Sequence, residues 1–139
     1  MVELGFLSRK GPVSLEELAQ NQGIPLRYLA KIVQDLKRAG FVKSVRGAHG
    51  GYLLAQEASH IKVLDIVRCL EGGLSPVECL NDASVCRRSV QCVTREVWAK
   101  VSEAIHNVLQ SVSLQDLVDR CPKRNVAGIA PGTRRGGTT

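Results

Sequence analysis

Apolar residues recur at helical spacing through most of the chain, interrupted by glycine, proline and capping residues. Met1 to Ser8 is a short apolar segment, read as a helix that begins without a cap and is broken by Gly11-Pro12. Ser14-Leu-Glu-Glu17 predicts a capping box, with the Ser14 hydroxyl accepting from the Glu17 amide and the Glu17 carboxylate reaching back. A helix follows from Leu15 to about Gln22, burying Leu15, Leu18 and Ala19, and Gly23 supplies the turn after it. Pro25 stands at the next helix start, where its missing N–H costs little. That helix runs from Leu26 to about Ala39, with Leu29, Ile32, Val33 and Leu36 as its buried stripe and Gly40 as a left-handed cap. Arg27, Lys31, Gln34 and Arg38 share another face.

Beyond Gly40 the period changes. Val42 to Val45 and Tyr52 to Leu54 are β-branched or apolar runs flanking Arg46-Gly-Ala-His-Gly-Gly51, a pattern that predicts a hairpin. Glycines at its tip let the backbone come close to a phosphate, which makes Gly50 a candidate contact. Arg46 at the base of the tip is placed to enter a minor groove or pair with phosphate. His49 is a further candidate, although a histidine there is more often a plain loop residue. Val63, Ile66, Val67 and Leu70 mark another helix ending at Gly72-Gly73, with Cys69 bordering its stripe as a small buried hydrophobe. Leu74 to Cys92 shows little periodicity and reads as a loop. From Thr94 a long stripe returns: Val97, Trp98, Val101, Ile105, Val108, Leu109 and Val112. That apolar face is too large for a small domain to cover alone. Ser113-Leu-Gln-Asp116 predicts a second capped start, for a short helix to about Arg120. After Cys121-Pro122 the pattern ends, and residues 122–139 are expected to be disordered.

The fold class this predicts is mainly α with a small β-hairpin wing: a winged helix-turn-helix over residues 1–71, a cysteine-bearing loop over 72–93, and a long helix with its short successor over 94–121. A length of 139 residues suits one domain with an appended element. No apolar run is long enough to span a bilayer and there is no signal-peptide pattern, so a cytoplasmic location is expected. The net charge of +6 is uneven. Met1 to Leu54 holds eight Lys/Arg against four Asp/Glu, Ala55 to Cys121 seven against nine, and the tail four against none. The stretch Ile24–Leu54 alone carries +5, from six basic residues and Asp35. A basic helix followed by a basic, flexible hairpin fits a DNA duplex. A solvated basic face is the plainer alternative, and the surrounding motif argues against it.

Five cysteines are many for a cytosolic chain, and the odd number argues against a disulfide framework. Cys79, Cys86 and Cys92 crowd the loop in a spacing unlike the Cys-x2-Cys of a zinc ribbon. Three thiolates there supply two or three corners of an iron–sulfur cluster, and Arg87, Arg88 and Arg95 favour the thiolate form. A fourth ligand is needed: Glu78, Asp82, a residue of a partner subunit or an exogenous thiol. Taken alone, three loop thiols are a weak signal. Cys69 and Cys121 lie outside the set.

The stretch GIPLRYLAKIVQDLKRAGFVKSVRGAHGGYLL resembles the helix-turn-helix and wing of the Rrf-two-type bacterial transcription regulators, the group with IscR, NsrR and CymR types. Its most distinctive part is the VRGxxGGYxL pattern, Val45 to Leu54 in this chain, and the likeness extends from Met1 to about Cys121. The resemblance implies a homodimer whose long helices cross between subunits. It also implies operator contacts from the start of the recognition helix and from the wing, carried over as Arg27, Tyr28, Lys31 and Arg46. Gln34, His49 and Gly50 complete the candidate interface from the residue patterns above. For the loop, the resemblance implies an iron–sulfur cluster on Cys79, Cys86 and Cys92, [2Fe–2S] ahead of [4Fe–4S], whose presence modulates repression. Thiol-redox sensing, zinc, and a cluster-free regulator answering to a protein partner or small ligand are the alternatives.

The chain departs from the IscR pattern in places. Small polar, acidic or amide residues stand there where this chain has Arg27, Ala30 and Lys31, so the operator is expected to differ. A histidine three residues after the third cysteine is replaced by Arg95, which stays protonated and is no ordinary ligand. Family members usually carry a basic, aromatic-containing segment ahead of the first helix, whereas Met1 falls inside that helix. Either residues precede it in the complete protein, or the contacts of that segment are absent. No Walker loop, dinucleotide fingerprint, nucleophile elbow or His–Glu metal motif is present, so an enzyme is not expected.

Overall fold

The computed structural model describes residues 1–121, so the expectation of disorder over 122–139 lies outside the described residues. Six helices and one hairpin follow in chain order: α1 (Val2–Leu7), α2 (Leu15–Gln22), α3 (Leu26–Arg38), β1 (Val42–Val45), β2 (Gly51–Leu54), α4 (Val63–Glu71), α5 (Val93–Ser111) and α6 (Leu114–Arg120). The winged helix-turn-helix is therefore present with the elements that the periodicity predicts.

Local chemistry sets most boundaries. Ser14 Oγ accepts from the Glu17 amide at 3.1 Å, capping α2. The Glu17 carboxylate makes no return contact, so only half of the predicted box forms. Gly23, at φ 62°, turns the chain between α2 and α3. Gly40, at φ 79°, turns it out of α3, and the Phe41 amide closes back on Leu36 O at 3.0 Å. The strands pair antiparallel in the register Val42↔Leu54, Lys43↔Leu53, Ser44↔Tyr52 and Val45↔Gly51.

The core gathers Leu4, Val13, Leu18, Val33, Leu36, Val42, Ile61, Leu114 and Val118, each under 5% exposed. At about 25 cal/mol per Å2, burying each such side chain stabilises the fold by roughly 1.5–3 kcal/mol before entropy is counted. Here α6 returns to the N-terminal half: Leu114 and Val118 pack with α1, where a Cβ on Gly5 would stand 2.9 Å from Val118 Cγ2. Ser113 caps α6 in a full box with Asp116, its own amide donating to Asp116 Oδ2 at 2.8 Å. Arg9 pairs with Asp119 at 3.1 Å across the same junction. The short helix grouped by sequence with α5 is thus seated in the core of the helix-turn-helix half.

Two expectations change. In α4 the buried residues are Leu64 and Ile66, whereas Leu70 of the predicted stripe is exposed. Leu64 and Ile66 lie about 200° apart on a helix. Because α4 packs against α3 on one side and α5 on the other, a single stripe does not describe it. The predicted featureless loop holds three 3-10 turns, Glu78–Leu80, Ala83–Val85 and Ser89–Gln91. They are fixed by polar bonds and leave no apolar period: Asp82 Oδ1 accepts from the Ser84 amide at 2.9 Å, and Ser89 Oγ donates to Ala83 O at 2.7 Å. Among the described residues, no helix is long and apolar enough to cross a membrane.

Candidate nucleic-acid interface and cysteine segment

The α2–turn–α3 unit leaves the outer face of α3 open. Arg27, Tyr28, Lys31 and Gln34 are exposed on it, and Tyr28 is 60% exposed despite its apolar ring. The opposite face is pinned by Leu29, Val33 and Leu36. Arg38, on the same outer face by spacing, is drawn into an ion pair with Asp35 at 3.2 Å. The other ion pair among the described residues is Arg9–Asp119, so neither involves Arg27, Lys31 or Arg46. Unpaired exposed cations keep their full charge for a polyanion.

On the wing, Arg46, Gly47, Ala48 and His49 are exposed and Gly50 is half-buried. The Gly50 amide closes the tip on Gly47 O at 3.0 Å, and a Cβ on Gly50 would overlap the Val45 carbonyl oxygen. The tip therefore needs glycine at that position, independent of any contact with DNA. Three ties that sequence reading missed hold the hairpin to the helices. Lys37 Nζ donates to Ser44 Oγ at 2.8 Å, joining the end of α3 to β1. Gln56 Nε2 donates to Gly40 O at 3.1 Å. Val13 bridges Tyr52 from the segment before α2. None of the three left a signal in the sequence pattern.

The three loop cysteines lie at different turns. Cys79 is inside the first 3-10 turn, Cys86 follows the second, and Cys92 stands between the third and α5. Cys79 and Cys92 are partly exposed and Cys86 is exposed, all as free thiols. A hydrogen bond with the Thr94 hydroxyl, at 3.0 Å, holds the Cys92 thiol below its ordinary pKa, with the Arg95 amide and guanidinium acting in the same direction. Arg95 Nε also donates to Cys79 O at 3.2 Å, so the residue standing where the IscR pattern has a histidine ties the first cysteine to the start of α5. As a donor set, three accessible thiols fit an iron–sulfur cluster in kind. They are not drawn to one point: among the described residues no group of three or more His, Cys, Asp and Glu is arranged to hold a metal ion. Cys69 sits apart on α4, partly buried against the core, its Sγ 3.7 Å from Asp35 O, and burial pushes its thiol pKa up.

After the last turn, α5 has no buried residue. Val97, Trp98 and Val108 are 59%, 41% and 63% exposed along it. Exposed apolar side chains on one helix make this face a candidate interaction surface.

Comparison with known proteins gives a consistent set of likenesses. The model of a family described as "Rrf2: Iron-dependent Transcriptional regulator" matches residues 1–120. Protein rrf2 of Nitratidesulfovibrio vulgaris is 38% identical over 134 residues, which is 94% of this chain and 89% of that protein. The structure of CymR (YrzC), the global cysteine regulator of B. subtilis, superposes with a TM-score of 0.70 at 41% identity, covering 85% of this chain and 86% of that one. T. potens IscR superposes with a TM-score of 0.71 at 40% identity, covering 94% of this chain and 84% of that one.

Proposed function

The chain belongs to the Rrf2 family of DNA-binding transcriptional regulators, and from that premise we propose that it represses operators read by α3 and the wing, under control of its cysteine segment. The observation that carries the reading is the set of exposed cations Arg27, Lys31 and Arg46, none of them ion-paired among the described residues. Tyr28 and Gln34 share their helix face and offer base-edge contacts in the major groove. Arg46, with His49 and Gly50 beside it, approaches the backbone or the narrow groove alongside. Two copies joined through α5 would present two such units, so the operator is a near-palindrome. Selection from a randomised duplex pool should return two-fold symmetric sites, bound with an affinity that falls steeply with salt. Asymmetric sites, or affinity indifferent to salt, would count against the reading.

Cys79, Cys86 and Cys92 are the residues that would hold an iron–sulfur cluster, [2Fe–2S] ahead of [4Fe–4S], with a fourth ligand from Glu78, Asp82, the partner subunit or a free thiol. Bound there, such a cluster supplies a redox-sensitive link among the three turns. The family's printed description as iron-dependent supports this, as does the ease with which Cys92 deprotonates. The likeness to CymR, together with the separation of the three thiols, supports a second reading, in which the segment answers to a protein partner, a small ligand or its own thiol state without a cluster. Anaerobic purification with an iron and sulfide count separates the two. Stoichiometric iron and sulfide that fall on Cys86→Ala support the cluster; none in protein that still binds its operator supports the second reading.

A further inference from the structure

The wing is a short two-stranded hairpin, and such a hairpin is marginally stable by itself. Its tip starts at Arg46, directly after Val45, and Val45 pairs with Gly51. Gly51 is thus the last paired residue of β2 before the tip. On its other edge β2 meets Val13. The Val13 amide donates to Tyr52 O at 3.0 Å and the Tyr52 amide donates to Val13 O at 2.8 Å. Val13 itself does not move freely: it is 3% exposed and immediately precedes Ser14, the cap of α2. The start of the helix-turn-helix and the tip end of the wing therefore share one reciprocal pair of backbone bonds.

That junction has no room for a side chain. A Cβ on Gly51 would lie 2.6 Å from Val13 O, 2.7 Å from Val13 C and 2.9 Å from Val13 N. All three atoms are backbone, so nothing on the other side can rotate away. The φ of 155° adds a conformation that other residues rarely adopt. A Cβ on neighbouring Gly50 would meet the wing's own backbone, at Val45 and Gly47, and not Val13.

We propose that Gly51 is a positioning residue for operator binding: its bare Cα lets β2 close on Val13, and that closure sets Arg46 against α3. The inference rests on the reading that Arg46 contacts DNA. Any side chain at position 51 pushes β2 off Val13, breaks the reciprocal bonds and frees the tip, while the helix face of α3 stays as it is.

The test compares wild type, Arg46→Ala, Gly51→Ala and the double variant on one operator selected by the wild-type protein. Hydroxyl-radical footprinting of the Gly51→Ala complex should keep the protections given by α3 and lose those given by the wing, with affinity down about tenfold. Arg46→Ala should then add less than about twofold in the Gly51→Ala background, because the two changes remove the same contact. A wild-type footprint and affinity for Gly51→Ala, or a full Arg46 effect in both backgrounds, overturns the inference. If Arg46→Ala has no effect even in the wild-type background, the DNA reading of the wing fails and takes this inference with it. Should Gly51→Ala not fold, hydrogen exchange in the wild-type protein decides. Val13 and Tyr52 amides as slow as those of α3 support the closure, and freely exchanging ones overturn it.

Discussion

At the scale of single residues, the chain separates side chains that hold the fold from those left free. Asp35 and Asp119 each take up one arginine, and among the described residues Arg27, Lys31 and Arg46 are in no ion pair. Among the three loop cysteines, Cys92 is the one whose thiol is shifted by its surroundings. Its thiol pKa is lowered chiefly by Thr94, so at a pH below the ordinary thiol value it holds more thiolate than an isolated cysteine. Thr94→Val should raise that pKa and slow alkylation of Cys92 near pH 7, while Cys86 reacts as before; rates of iodoacetamide labelling against pH, read by peptide mass, check this. An unchanged Cys92 rate would mean that Thr94 does not set it. The Asp116 carboxyl is likewise held below its usual range, by the Ser113 hydroxyl and amide. A depressed folded pKa gives stability that is present above the unfolded value and is lost as pH falls through the folded one. Ser113→Ala removes the cap, so it should cost about 1 kcal/mol at neutral pH. The deficit should shrink as the medium turns acid, a trend visible in melting temperatures taken from neutral pH downward.

At the scale of elements, sequence legibility followed the number of faces each element buries. A helix packed on one side shows one stripe, which is why α2 and α3 were readable from Leu18, Leu29, Val33 and Leu36. Packed between two neighbours, α4 has no single apolar phase: it buries Leu64, outside the stripe, and exposes Leu70, within it. The turns carrying the cysteines rest on Ser, Asp and Asn bonds with no period to find. The candidate interface was legible because its glycines and arginines stand in a distinctive order. Its supports were not, because backbone bonds such as Val13 to Tyr52 leave no mark on side-chain identity. The α5 helix was legible for the opposite reason: its stripe exceeds what its own chain covers, and Val97, Trp98 and Val108 are exposed as the pattern requires. If that face joins two copies, it resembles a core cut in half, where a charge is severe. Val101→Glu or Ile105→Glu should give monomer or aggregate in sedimentation velocity. A dimer of normal stability in both variants would leave α5 without its proposed role.

At the scale of the whole molecule, α5 is tethered at both ends. Its first turn holds Cys79 through Arg95. At its far end the Val63 amide donates to Val112 O at 3.0 Å and the Leu114 amide to Ile61 O at 2.8 Å, joining the α5–α6 corner to the start of α4. Arg68 Nη2 also meets His106 Nδ1 at 3.1 Å between α4 and α5. These contacts run from the cysteine segment through α5 and α4 to α3, and if that segment regulates as proposed, a coupling of roughly 1–3 kcal/mol is enough. All of this presupposes that α3 and the wing read the operator. The most direct measurement is the affinity of wild type, Arg27→Ala and Arg46→Ala for one selected operator, by fluorescence anisotropy at fixed salt. Each substitution should weaken binding by about 1–3 kcal/mol while leaving the melting temperature unchanged. Wild-type affinity in both variants would contradict the account.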